Sequence, residues 1–128
     1  MNLGDSCRRQ GQQDDARDSY QKGSEVALAE LQDDPRNGET RAYLGYLAAR
    51  LGDQKRGEEE IDQALKLSPQ EKTVIRRAVL TYEMLGKRDR ALEIAATATQ
   101  DVLRELERHP DLADFSRDPR FVQMKRGT

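Results

Sequence analysis

The chain from Arg41 to Asp53 reads RAYLGYLAARLGD, and a similar stretch, RAVLTYEMLGKRD, runs from Arg77 to Asp89. Laid over itself at an offset of 34, the middle of the sequence matches small on small and apolar on apolar. Leu44 falls on Ala78, Ala48 on Tyr82, Leu51 on Leu85, Gly52 on Gly86, Gly57 on Ala91, Ile61 on Ala95 and Ala64 on Ala98. The polar positions between them drift. A third, earlier copy matches at an offset of 41, with Leu3-Gly4 on Leu44-Gly45, Gly11 on Gly52, Tyr20 on Ile61 and Gly23 on Ala64. A repeat of this length constrains the fold strongly, because each unit is too small to bury its own apolar face and must stack on its neighbours.

The spacing within a unit is helical. Leu44, Leu47, Ala48 and Leu51 recur at three and four, as do Ile61, Ala64 and Leu65, with Gly52 as punctuation between them. Small residues at Ala16, Gly57 and Ala91, and at Gly23, Ala64 and Ala98, allow two helices to approach closely. Helices are expected over 2–10, 13–33, 38–51, 54–67, 71–85 and 88–98. Asn37 is the expected cap of the third, and Ser68 with Glu71 has the capping-box pattern before the fifth. Past Ala98 the repeat lapses. QDVLRELERH reads as helix, and Asp118-Pro119 opens a last short helix carrying Phe121, Val122 and Met124.

Leu44-Gly45, Ala48, Gly57, Ile61, Ala64 and Pro69 in one copy, and Tyr82, Gly86, Ala91, Ala95 and Ala98 in the next, resemble the tetratricopeptide repeat (TPR). Arg41 and Ile75 stand where that family has tryptophan. The resemblance covers about residues 2–98. It implies an all-α, right-handed solenoid of antiparallel helix pairs. Repeat 1 would occupy about 1–34, truncated at its N-terminus and with a lengthened second helix. Repeat 2 would occupy about 38–71, repeat 3 about 72–105, and a C-terminal cap about 106–128. The tail HPDLADFSRDPRFVQM is similar to the end element of TPR regions in bacterial signalling proteins, among them Ser/Thr kinases of eukaryotic type. Leu112, Phe115 and Phe121 are expected to cover the apolar end of the last repeat. Only two residues precede Leu3-Gly4, which the register places midway along a first helix, so this reading expects an upstream protein.

Catalytic chemistry finds little to work with. No G-x-G pair, G-x-x-x-x-G-K motif or G-x-S-x-G elbow is present. Cys7 is the only cysteine and His109 the only histidine, which excludes an internal disulfide or a Cys/His zinc site within one chain. Cys7 reads as a small buried hydrophobe, and His109 as a helix-end residue complementing the dipole. Glu58, Glu59, Glu60 and Asp62 point in different directions on a helix, so they read as a solvated face and not a metal or acid–base cluster. No cofactor and no metal are expected. No run approaches the ~18 apolar residues of a membrane span and no charged-then-apolar leader opens the chain, so a cytoplasmic location is expected.

Charge is distributed unevenly. Residues 1–39 hold five basic and nine acidic side chains, a net −4, and residues 72–90 hold six basic and two acidic, a net +4. The basic stretch has no series of aromatic residues interleaved for base stacking, Tyr82 being the one it contains, so an acidic protein or peptide fits it better than nucleic acid. The resemblance implies a concave groove lined by the first helix of each pair. In this sequence those positions are Asp5, Arg8 and Arg9 in the first copy, Tyr43, Tyr46 and Arg50 in the second, and Arg76, Arg77, Leu80, Glu83 and Met84 in the third. The Asn positions of the family's carboxylate clamp read Asp5, Tyr46 and Leu80, so that clamp is not carried over.

Three functions fit. The first is a protein–protein interaction scaffold without catalysis, binding a peptide in the groove. The second is the regulatory or targeting module of a larger bacterial signalling enzyme such as a Ser/Thr kinase. The third is a structural module that self-associates through the uncapped N-terminal repeat, where Leu3, Cys7 and Tyr20 offer apolar surface. Among the groove charges, only Asp5 and Glu83 are expected to be acidic.

Overall fold

The computed structural model describes residues 3–126, with side chains described from Ala16 onward. The described chain is all-α. Its helices are α1 (Leu3–Asp33), α2 (Gly38–Arg50), α3 (Gln54–Leu67), α4 (Lys72–Met84), α5 (Arg88–Ala95), α6 (Gln100–Arg108), α7 (Ala113–Arg117) and α8 (Pro119–Lys125), with a 3-10 turn at Pro110–Leu112 between α6 and α7. Helix α1 packs on α2, α2 on α3 and α4, α3 on α4, and α4 on α5; α6, α7 and α8 close the end against α4 and α5.

The turns after α2 and α4 are built alike, 34 residues apart. Gly52 and Gly86 both take a left-handed backbone, with φ of +91° and +78°. The Gly52 and Asp53 N–H groups donate to the Ala49 and Ala48 carbonyls at 3.1 and 2.9 Å, and those of Gly86 and Lys87 to Glu83 and Tyr82 at 3.0 and 2.9 Å. These pairs satisfy the carbonyls that a helix end leaves open, and only glycine takes that φ without a Cβ penalty. Asp53 then starts α3 by accepting from the Arg56 N–H at 3.2 Å.

Close approach of α2 and α3 rests on two glycines. A Cβ at Gly45 would lie 2.9 Å from the Gly57 carbonyl oxygen and 2.9 Å from Ile61 Cγ1, and one at Gly57 would lie 3.1 Å from the Gly45 oxygen. The expected small-residue contact at Gly57 is present. Gly23 has the same role on α1, where a Cβ would meet Leu47 Cδ1 at 3.0 Å.

The main core joins Ala42, Ile61 and Ala64 to Val74, Ala78 and Val79, and continues through Leu92, Val102 and Leu106 to Leu112, Phe115 and Phe121. The last three residues therefore cover the apolar end of α4 and α5, as their placement in the sequence predicts. Phe115 and Phe121 stack tilted, with centroids 4.9 Å apart. Asp118 caps α8 by accepting from the Arg120 N–H at 2.9 Å, with Pro119 at the first helical position.

Three local expectations are corrected. Helix α1 runs unbroken through Gly11, where the sequence predicts a turn between two helices. At Gly52 and Gly86 a leucine precedes the glycine, whereas Gln10-Gly11-Gln12 has no apolar residue to bury at a turn. A lone helical glycine costs only about 1 kcal/mol. Ser68 does not form a capping box: it ends α3, and Glu71 occupies the N-cap of α4 without a side-chain hydrogen bond. Helix α5 stops at Ala95 rather than near 98, where the Thr97 hydroxyl donates to the Ile94 carbonyl at 2.7 Å and Ala98 N–H to Ala95 at 3.0 Å, tightening the last turn.

Candidate functional site: a groove across α2 and α4

Ala42, Leu44 and Leu47 turn one side of α2 into the interior, so Tyr43, Tyr46 and Arg50 fall on the other. Val74, Ile75, Ala78 and Val79 do the same for α4 and leave Arg76, Arg77, Leu80, Glu83 and Met84 on its outer side. These residues converge on two clefts that share Tyr46 and Leu80. The first, about 300 Å³, is lined by Tyr43, Tyr46, Thr73, Arg76, Arg77 and Leu80, with Glu105, Leu106 and His109 opposite. The second, about 350 Å³, is lined by Tyr46, Arg50, Leu80, Glu83 and Met84, with Asp111 and Asp114 opposite.

All eight groove positions from the second and third copies thus line one or both of these adjacent clefts. The side chains of Asp5, Arg8 and Arg9 lie outside the described ones, as does that of Cys7. Sequence reasoning missed the opposite wall. Glu105, His109, Asp111 and Asp114 come from α6, the 3-10 turn and α7, so the groove is less basic than its two first-helix walls imply. The expectation that Asp5 and Glu83 are the only acidic groups near the groove arginines is corrected accordingly: Glu105, Asp111 and Asp114 also line it.

The three arginines differ. Arg50 donates to Tyr46 Oη at 3.1 Å and pairs with Asp111 Oδ2 at 3.2 Å. Burial lowers its basicity, but the Tyr46 and Asp111 contacts more than offset this and hold it above the ordinary arginine value. Arg76 pairs with Glu105 Oε2 at 3.3 Å, yet its Nε is buried without a hydrogen-bond partner. A buried donor left unmatched costs about 1–3 kcal/mol. Arg77 lies 4.4 Å over the Tyr43 ring and makes no ion pair among the described residues. Burial, and next the Arg76 charge beside it, push Arg77 below the usual arginine value, although the Tyr43 ring works against the shift.

The acidic run on α3 does not converge. Glu58 pairs with Lys87, Glu60 with Arg41 at 3.1 Å, and Asp62 with Tyr82 Oη at 2.6 Å and Arg90 at 3.6 Å. Among the described residues no group of three or more His, Cys, Asp or Glu is placed to hold a metal ion, and no helix is long and apolar enough to cross a membrane. His109 accepts the Asp111 N–H at Nδ1, 3.1 Å away, and so starts the 3-10 turn. The chain matches no protein-family model and no curated protein sequence.

Proposed function

We propose that the chain is a TPR-like right-handed solenoid that serves as a protein–protein interaction scaffold, holding a peptide segment of its partner in the groove across α2 and α4. One observation carries this reading: the outer faces of α2 and α4 jointly present Tyr43, Tyr46, Leu80 and Met84 beside arginines. Tyr43 and Met84 are each 37% exposed, large side chains held at the surface. Aromatic residues and arginine supply much of the energy at peptide interfaces, because they bury large area with little loss of side-chain freedom. A groove between helices suits an extended or helical segment with alternating anchors. The matched turns at Gly52 and Gly86 support the repeat architecture.

Selection from a random dodecapeptide display library tests the reading. Enriched peptides are expected to bind the wild type and to weaken about tenfold or more on the Tyr46→Ala/Met84→Ala double variant. Unchanged thermal unfolding of that variant would show that the fold is intact. Peptides that bind both proteins equally would place the site elsewhere.

A further inference from the structure

We infer that the first cleft contains a subsite for one acidic side chain of the partner, centred on Arg77 beside the Tyr43 ring. This rests on the groove being the peptide site and specifies what it takes.

The observation is a mismatch within the groove. Arg50 is satisfied by Asp111, and one end of Arg76 by Glu105. Arg77 is half-buried and has no carboxylate partner among the described residues, while its neighbour Arg76 adds a second positive charge and an unmatched buried Nε. Glu105, the one carboxylate lining this cleft, is engaged by Arg76. The Arg77 Cζ lies over the Tyr43 ring, 4.4 Å from its centroid, so one side of the guanidinium is taken up by the ring. With no ion pair among the described residues, its N–H donors remain for a carboxylate, which a guanidinium fork binds bidentately. Tyr46, Leu80 and Leu106 line the same cleft and reduce the local dielectric, which strengthens such a pair.

The second cleft shares Tyr46 and Leu80 with this one, so the two lie side by side along the outer faces of α2 and α4, and a segment spanning both would cross those two side chains. An internal Asp or Glu crossing over Arg77 matches that path, with apolar residues following over Leu80 and Met84. Arg77 and Met84 are seven residues apart on α4, about 10 Å of helix rise, so the apolar anchor over Met84 falls about three residues from the acid in an extended segment.

The test uses peptides from the display selection that require Tyr46 and Met84, resynthesised with acetylated and amidated ends so that no terminal carboxylate is present. They are expected to share an Asp or Glu. Replacing it with Asn or Gln should cost about tenfold in affinity for the wild type and almost nothing for Arg77→Gln, whereas Arg50→Gln should leave that loss intact. Arg77→Glu should restore binding to the same peptide carrying Lys at the acidic position. Groove-dependent peptides with no shared acid would overturn the subsite and leave the peptide groove standing. So would an acid whose effect persists in Arg77→Gln, or inorganic phosphate or a single-stranded oligonucleotide shifting the Arg77 Nε–H resonance more than the acidic peptide does. Failure to obtain any groove-dependent peptide would overturn the groove itself, and the subsite with it.

Discussion

At Gly45 the side chain is a single hydrogen because the Gly57 carbonyl and Ile61 Cγ1 leave no room for more. Overpacking of a rigid contact costs about 1–3 kcal/mol, and backbone oxygen yields less readily than a side-chain tip. Gly45→Ala is therefore expected to destabilise the protein by about 2–3 kcal/mol in urea unfolding. Gly52→Ala meets no atom within 4 Å and bears only the left-handed strain, about 1–2 kcal/mol. Equal losses at the two sites would contradict the packing account. Tyr82 supplies a second residue-level test. Burial, and then its hydrogen bond to Asp62, push its hydroxyl up to about 12. The raised value favours the neutral phenol in the folded state. Its contribution to stability is thus complete below the unfolded value near 10 and is lost as pH rises from about 10 to 12. Near-ultraviolet absorbance should show one of the four tyrosines ionising last, and Tyr82→Phe should remove that phase. Simultaneous ionisation of all four would count against it.

Helix α8 has only seven residues and depends on its cap and its aromatic anchor. Asp118 accepts from the Arg120 backbone at 2.9 Å and from its guanidinium at 3.1 and 3.0 Å. The guanidinium, then the backbone bond, hold the carboxyl below the usual aspartate value. A depressed carboxyl contributes above its unfolded value and loses that contribution as pH falls through the folded one, so the cap should loosen only in strong acid. Asp118→Ala should lower stability slightly and raise amide exchange in α8 first. Phe121→Ala should cost about 3–5 kcal/mol by opening a cavity beside Phe115. A smaller loss than that of Asp118→Ala would mean that α8 does not close the core. Some elements were legible and others not, for identifiable reasons. The turns at residues 52 and 86 show in the sequence because a left-handed backbone demands glycine and the following helix demands an apolar stripe. The end of α5 is less visible: Ala-Thr-Ala-Thr keeps the small-residue spacing while the Thr97 hydroxyl donates back to the Ile94 carbonyl as the helix ends. The unbroken α1 is hidden by Gly11, which copies the punctuation without the half-buried leucine that precedes Gly52 and Gly86.

Across the whole molecule, the near wall of the groove follows from periodicity, since facing α2 and α4 inward through their aliphatic residues leaves Tyr46, Arg77 and Leu80 outward. The far wall does not, because Arg50 and Asp111 meet across 61 positions of sequence and no local pattern encodes that return. The consequence is electrostatic. Arg50 and Arg76 already have partners within the fold, which leaves Arg77 as the groove arginine without one among the described residues. Binding of an acidic peptide should therefore weaken only moderately between low and physiological salt, much less than three unpaired arginines would produce. Affinity that collapses with salt would show that the internal pairs open on binding. The most direct measurement is amide chemical-shift mapping of the isotope-labelled protein with a selected groove-dependent peptide. The account predicts shifts along residues 43–50, 76–84 and 105–114, with α3 and α5 quiet. Shifts concentrated on α3 and α5, around Leu65, Arg90 and Ile94, would contradict it.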